Sequence, residues 1–371
     1  MIKLMLFRYN PSKKGKFMKK YLTLTLFILF FTSCATKIEN EQNATNKKTN
    51  SELIKILVEK EKEINSLKLE LESYKKVDWK MKEIAIIGTT ASGKTALSLE
   101  LADKTNSIIL SLDSLCVYKE IDIASAKPTK KERGDIVHFG IDEVFPNEKF
   151  DVVEFLNLYQ NAKKFAQENL KNLIIVGGTG FYLKALTDGL SLGFNSNVEL
   201  DMSLNDTYNL LYSLDKEYMQ KIDPNDRYRV QKAYSIYKQS GLIPSQYFKE
   251  NPKVALSADL KIFEILWEKE ELASRVALRT KAMIEAGLID EIIYLEKKYT
   301  RLPNCMSSIG IVETLEYLDG KIDKKRLEEK IIQNTLKLAK RQNTFNKGQF
   351  ENRVSNIISS LNSEIIKYFK I

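Results

Sequence analysis

Residues 88–95 read Gly88-Thr89-Thr90-Ala91-Ser92-Gly93-Lys94-Thr95, and no other stretch so narrows what this chain can become. The pattern G-x-x-x-x-G-K-T binds phosphate only where it leaves a strand and opens a helix. Both flanks comply: Ile84-Ala85-Ile86-Ile87 reads as an apolar strand, and Ala96 to Lys104 reads as a helix. That context sets the ordered pattern apart from a chance run in a surface loop. Glycines let the backbone curl so that its N–H groups turn inward on an anion, and the following helix adds the positive end of its dipole. Lys94 is placed to reach a terminal phosphate, and the Thr95 hydroxyl suits Mg²⁺. The loop predicts a di- or triphosphate ligand held by residues 88–95; alone it does not say which one or what becomes of it.

The 371 residues suggest about two domains, or one with additions. A hydrophobic share of 43% with 29% charged residues is ordinary for a soluble globular chain. A net charge of +9 suits a polyanionic partner such as nucleic acid, though a solvated lysine-rich surface gives the same number. Cys34, Cys116 and Cys305 show no C-x-x-C spacing, so neither a zinc ribbon nor a disulfide framework is indicated. His138 is the only histidine, and no nucleophile elbow accompanies it. A Ser-His-Asp triad is therefore not indicated, and His138 is expected in a structural or loop position.

Residues 1–80 differ from the rest. Met18-Lys19-Lys20, the apolar run Tyr21 to Phe31, and Thr32-Ser33-Cys34 form a basic, an apolar and a small-residue segment ending in cysteine. This resembles a bacterial lipoprotein signal, with Cys34 as the residue to be lipidated. The apolar core falls short of the roughly 20 residues of a membrane span; a buried strand or helix is the alternative. Lys37 to Ser51 is polar and asparagine-rich, a linker. Leu53, Leu57, Lys60, Ile64, Leu67, Leu71 and Tyr74 then alternate at spacings of four and three, the seam of a short coiled coil or of a single amphipathic helix.

From Met81 onward the pattern is that of an α/β enzyme. Ser107 to Leu112 reads as a strand closing on Asp113-Ser114. A carboxylate there lies where parallel sheets do chemistry, as a metal ligand or general base; an Asp-Ser turn cap is the plainer alternative. Asn172 to Val176 is a third strand, running into Gly177-Gly178-Thr179-Gly180, with helical periodicity from Phe181 to Thr187. Beyond about Leu190 the chain reads as predominantly helical. Pro224-Asn225-Asp226 starts a helix carrying Arg227, Tyr228, Arg229, Lys232 and Tyr234, a mix suited to phosphate contact and base stacking or to a solvated basic face. Arg275 and Arg279 share one face of a helix from Lys269 to Ala286 and could clamp a diphosphate, or pair with Glu271 or Glu285. Lys337, Lys340 and Arg341 form a third basic cluster. The division expected is 1–34 signal-like, 35–80 linker and amphipathic helix, 81–190 phosphate-loop core, 191–223 helical accessory insertion, and 224–371 helical part completing the core.

Several of these stretches together resemble the bacterial tRNA dimethylallyltransferases. They are Gly88 to Thr95, Ser111-Leu112-Asp113-Ser114 with Val117-Tyr118-Lys119, Asp122-Ile123 with Ala126-Lys127-Pro128, Val176 to Leu186, Pro224-Asn225-Asp226, Ser308-Ile309-Gly310 and Leu338-Ala339-Lys340-Arg341-Gln342. They occur in the family's order between Met81 and Phe350. The chain departs from the family's usual residues at Thr89 (Pro), Cys116 (Gln), Ile311-Val312 (aromatic then basic), Leu336 (Arg) and Phe345 (Trp).

The resemblance implies a P-loop NTPase-like parallel sheet flanked by helices, a mainly helical tRNA-binding region, and transfer of a dimethylallyl group from its diphosphate to the exocyclic amine of the adenine 3′ of a tRNA anticodon. It implies that the loop holds the diphosphate of dimethylallyl diphosphate rather than a nucleotide, with Mg²⁺ on Thr95. Asp113 matches the family's general base, and Lys94, Thr95 and Arg279 the groups that neutralise the leaving diphosphate. Asp113, Ser114, Leu115, Cys116, Thr179, Tyr228, Arg229, Val230, Gln231, Lys232, Ser307, Ser308, Ile309 and Gly310 match positions that contact tRNA. A monomer without an obligate protein partner is expected, cytoplasmic with its tRNA, or membrane-anchored through Cys34 if the lipoprotein-like segment operates. The alternatives are an adenylate isopentenyltransferase, a P-loop small-molecule kinase, and a lipid-anchored coiled-coil adaptor with a dead enzyme portion.

Overall fold

The computed structural model describes residues 54–69, 79–190 and 198–370, and the chain divides into two units at Asp78/Trp79. Of the first unit the described part is helical over residues 54–69, with Ile54, Leu57, Val58 and Leu69 exposed and Lys60 paired to Glu63 at 2.6 Å. The lipoprotein-like segment with Cys34, and Leu53, Leu71 and Tyr74 of the heptad seam, lie outside the described residues. No helix among the described residues is long and apolar enough to cross a membrane.

In the second unit, six strands among the described residues form one parallel sheet: β1 (Glu83–Gly88), β2 (Ser107–Leu112), β3 (His138–Phe139), β4 (Asn172–Gly177), β5 (Lys261–Ile265) and β6 (Val354–Asn356), in spatial order β3-β2-β4-β1-β5-β6. The strands β2 and β4 are buried almost end to end, because helices cover both faces and both side-chain rows must be apolar. On one face Phe155, Tyr159 and Ala162 of the helix Val152–Glu168 and Leu183 and Leu186 of the helix Gly180–Asp188 close the core; on the other, Leu97 and Leu101 of the helix Lys94–Thr105 and Leu361 and Ile365 of the helix Ile358–Lys370 do so. The helices in chain order are α1 (Lys94–Thr105), α2 (Lys130–Arg133), α3 (Val152–Glu168), α4 (Gly180–Asp188), α5 (Leu204–Leu214), α6 (Lys216–Met219), α7 (Arg227–Ser240), α8 (Pro244–Glu250), α9 (Lys269–Glu285), α10 (Leu288–Tyr299), α11 (Ile311–Leu318), α12 (Lys324–Gln349) and α13 (Ile358–Lys370).

The parallel sheet flanked by helices is the fold class read from the sequence. The C-terminal part, however, is not only helical: it supplies β5 and β6 to one side of β1. Glu264 hides β5 in the sequence, since a charge interrupts the apolar run; it is 2% exposed, ion-paired to Arg353 and hydrogen-bonded to Asn346. A separate apolar cluster joins Leu211, Met219, Ile222, Val230 and Tyr234. Helix α7 thus packs on α5 and α6, across the boundary at residue 223 expected from composition.

Register brings the strand ends level. Leu112 and Ile87 both pair with Gly177, and Gly88 pairs with Ile265, so the loops after β1, β2 and β4 emerge side by side. This is the crevice at the carboxyl ends of parallel strands where α/β sheets bind ligands. Gly177 sits so tightly that an added Cβ would lie 2.1 Å from the Leu112 carbonyl oxygen. Neither backbone has room to move, because each is hydrogen-bonded within the sheet. Gly177→Ala is expected to lower stability by about 3 kcal/mol, the upper end of ordinary overpacking, read as a reduced urea midpoint.

Candidate active site

The phosphate loop is built by its own backbone. Gly93 has φ 89°, a left-handed conformation that costs glycine little, and it stands at the N-cap of α1. The chain turns there from β1 into α1, aiming the helix N-terminus at the crevice. The loop is braced from outside as well. Arg275 of α9 donates from Nε to the Ala91 carbonyl at 2.7 Å and stacks over the Trp267 ring at 4.3 Å, while Trp267 Nε1 donates to the Ser92 carbonyl at 2.9 Å. The sequence paired Arg275 with Arg279 as a diphosphate clamp. The helix does put both on one side, but Arg275 gives its Nε–H to the loop's backbone, and of the two only Arg279 lines the crevice.

That crevice encloses a cavity of about 130 Å³, in which Thr90, Lys94, Thr95, Asp113, Cys116 and Arg279 meet. Lys94 Nζ donates to the carbonyls of Thr89 (2.6 Å) and Gly88 (3.1 Å). Burial, with the Arg279 cation adding to it, pushes the Lys94 ammonium down to about 8. Arg279 itself is lowered by burial and donates to the Thr90 hydroxyl at 3.0 Å. Two buried cations, each partly offset by the Asp113 carboxylate, make a site suited to an anion.

Asp113 follows β2 directly. Its Oδ1 accepts the amides of Leu115 (2.8 Å) and Cys116 (3.2 Å), so the turn-cap alternative is real, but it occupies one oxygen's lone pairs only. A carboxylate has about four acceptor sites, so capping and chemistry are compatible. Thr179 is tied beside it: its amide donates to the Leu112 carbonyl at 3.1 Å. Cys116 is buried, its thiol donating to the Ser125 carbonyl at 3.7 Å, and burial pushes that thiol well up, so it stands as a neutral wall of the cavity. Ser114 is exposed and Leu115 half-buried.

Of the residues matched to tRNA contacts, only Asp113 and Cys116 line the cavity. Tyr228, Arg229, Gln231 and Lys232 ride on α7, whose start is capped as its Pro-Asn-Asp signal foretold, with Asp226 accepting the Arg229 amide at 3.0 Å. Val230 is fully buried in the accessory cluster and has no surface to offer a nucleic acid. Ser307 to Gly310 form the turn before α11; Ser307 is exposed, whereas Gly310 is buried with its amide donated to Glu313 at 2.7 Å. Among the cavity residues not read as functional from the sequence are His138 and Gln342. His138, on the two-residue strand β3, faces the cavity with Nδ1 on the Ile136 carbonyl at 2.8 Å. Gln342 of α12 reaches it from the far end of the chain. The first had no periodicity around it to place it; the second depends wholly on tertiary contact.

Known proteins decide the affiliation. Residues 116–349 match the IPP transferase family, and residues 81–142 match the isopentenyl transferase family. A tRNA dimethylallyltransferase of Aliarcobacter butzleri (strain RM4018) is 74% identical over 291 residues, which are 78% of this chain and 100% of that protein. The chain belongs to the tRNA dimethylallyltransferase family. Members of it are prenyltransferases that modify tRNA, and the parallel sheet with its phosphate loop is their fold. The tRNA dimethylallyltransferase of Sulfurovum sp. (strain NBC37-1) is 48% identical over 77% of this chain and 98% of its own length. Among solved structures, a eukaryotic dimethylallyltransferase captured acting on tRNA superposes with a TM-score of 0.67 at 28% identity, covering 75% of this chain and 74% of that one. The full-length tRNA isopentenylpyrophosphate transferase of Bacillus halodurans gives 0.59 at 28% identity, covering 78% and 96%.

Proposed function

We propose that this enzyme transfers the dimethylallyl group of dimethylallyl diphosphate to the exocyclic N6 of the adenine 3′ of the anticodon in tRNA. The observation that carries the reading is the convergence of an anion-ready loop, with Lys94 and Arg279, on the single carboxylate Asp113 in one cavity. The N6 lone pair attacks the allylic carbon, the carbon–oxygen bond breaks, and diphosphate leaves with the bonding pair. N6 is conjugated with the ring and must lose a proton as it attacks; Asp113 is placed to take it. Lys94, Arg279 and the loop amides neutralise the charge growing on the leaving group. Among the described residues no three His, Cys, Asp or Glu side chains converge as a metal site. A Mg²⁺ ion would therefore be held by the ligand's own oxygens and the Thr95 hydroxyl, the usual manner for this ion, and would supply further charge neutralisation.

On the nucleic-acid side, Tyr228, Arg229 and Lys232 of α7 and the turn at Ser307 to Ile309 are the surfaces we assign to tRNA, together with Thr179 and Ser114. An adenine in a single-stranded loop enters at lower cost than one in a duplex, since less stacking is lost. The working enzyme is assigned to the cytoplasm, with its tRNA; recovery of transferase activity only from the cell envelope would overturn that.

The reaction is tested by incubating the protein with labelled dimethylallyl diphosphate, Mg²⁺ and bulk tRNA. Label in tRNA, located to the adenine 3′ of the anticodon, is the expected result; label in free AMP, or phosphate released from ATP instead, sinks the reading. A pH experiment checks the loop. With the Lys94 ammonium lowered to about 8 in the free enzyme, its charge is lost as pH rises through that region. Affinity for dimethylallyl diphosphate is therefore expected to fall as pH rises through about 8, and binding there should take up protons, measurable by calorimetry in two buffers of different ionisation enthalpy. Proton uptake that is the same at pH 7 and pH 8 contradicts the role given to Lys94.

A further inference from the structure

Gln342 joins two loops that the chemistry uses separately. Its Oε1 accepts the Thr90 amide at 2.9 Å, inside the phosphate loop, and its Nε2 donates to the Gly178 carbonyl at 3.1 Å, in the loop after β4. Thr90 is also the residue whose hydroxyl receives Arg279. Gly178 is followed by Thr179, which is fastened to Leu112 next to Asp113. One side-chain amide therefore spans the diphosphate side and the adenine side of the cavity. The fit is close: a Cβ on Gly178 would stand 2.4 Å from Nε2. A primary amide presents an acceptor and a donor at one tip; an ionised glutamate of the same reach keeps the acceptor and loses the donor, and methionine has no donor and only a weak acceptor.

The bridge is anchored on α12, and that helix is held to the sheet. One turn beyond Gln342, Asn346 is buried and donates to Glu264 of β5 at 2.9 Å. One turn before it, Lys337, Lys340 and Arg341 stand exposed on the same helix. A polyanion drawn to those cations acts on the same rigid element that sets the direction of the Thr90 amide.

We propose that Gln342 is a positioning residue that couples the two substrate sites, so that tRNA binding orients the phosphate loop and tightens its hold on a diphosphate. The inference rests on the function proposed above. Coupling is reciprocal: the factor by which tRNA tightens the diphosphate equals the factor by which the diphosphate tightens tRNA, typically about 5–150-fold.

The test uses the full chain with Mg²⁺ and inorganic pyrophosphate as probe, so that no transfer occurs, and titrates it with and without saturating tRNA. Wild type is expected to bind pyrophosphate at least about 5-fold tighter in the presence of tRNA. In Gln342→Met that ratio should fall to near one while tRNA alone still binds. Gln342→Glu, which keeps the acceptor for Thr90 and loses the donor for Gly178, should lose the ratio as well, and it serves if the methionine variant does not fold. In turnover, Gln342→Met should raise KM for dimethylallyl diphosphate more than it lowers kcat. A wild-type ratio near one with both ligands binding, or a ratio kept in both variants, overturns the inference. Absence of pyrophosphate binding to wild type would instead overturn the reading of the phosphate loop itself.

Discussion

Asp113→Asn should lower kcat for dimethylallyl transfer by about 10²–10⁴-fold, the ordinary cost of losing a general base, while leaving tRNA and diphosphate binding within a few-fold of wild type. Asparagine is the informative replacement because the Asp113 carboxylate also caps a turn through the Leu115 and Cys116 amides. An amide oxygen still accepts both, so the turn persists and the loss reports proton transfer rather than collapse of the loop. Alanine would remove both roles at once. Single-turnover transfer with preloaded tRNA separates chemistry from binding; an Asp113→Asn enzyme within about 10-fold of wild type in that assay would remove Asp113 as the base.

Arg279→Leu is expected to cost about 10²–10³ in kcat, the size of effect seen when one preorganised electrostatic group is lost. Arg279→Lys should recover part of it, since charge returns without the planar fork. A second consequence carries a definite sign. The Arg279 cation is one reason the Lys94 ammonium lies near 8. Removing that repulsion raises Lys94 towards its ordinary value, so the alkaline limit of diphosphate binding should move to higher pH in Arg279→Leu even as affinity at neutral pH declines. A limit that stays near pH 8, or moves lower, would show that the two side chains do not sense each other.

Much of the core and half of the site could be read from the chain because they are written locally. The strands β1, β2 and β4 are mostly apolar with no charge inside the run, and the phosphate loop and Asp113 sit at their ends, where topology places ligands. The rest is tertiary. Glu264 makes β5 look polar until Arg353, 89 residues away, neutralises it. The strand β3 is two residues long and β6 three, too short for any period to show. Spacing placed Arg275 and Arg279 on one face correctly, yet spacing cannot say that one guanidinium grips a backbone carbonyl and the other an open cavity. Gln342 belongs to a recognisable stretch, but its partners lie 164 and 252 residues away. Phe345, standing where the family commonly has Trp, closes on Gly180, where an added Cβ would lie 2.5 Å from its ring.

The helical cluster formed by α5, α6 and α7 leaves and rejoins the sheet at nearly one point: Leu190 pairs with Val254, and the Leu256 and Ser257 amides both donate to the Leu186 carbonyl. A branch with so narrow a neck can lengthen, shrink or be exchanged without shifting the register of any strand, because loop closure costs only about 0.6 kcal/mol for each doubling of length. If α7 contacts tRNA as proposed, variation in this branch can retune recognition while the chemistry beneath stays fixed, and the same neck offers a place to splice in a different module.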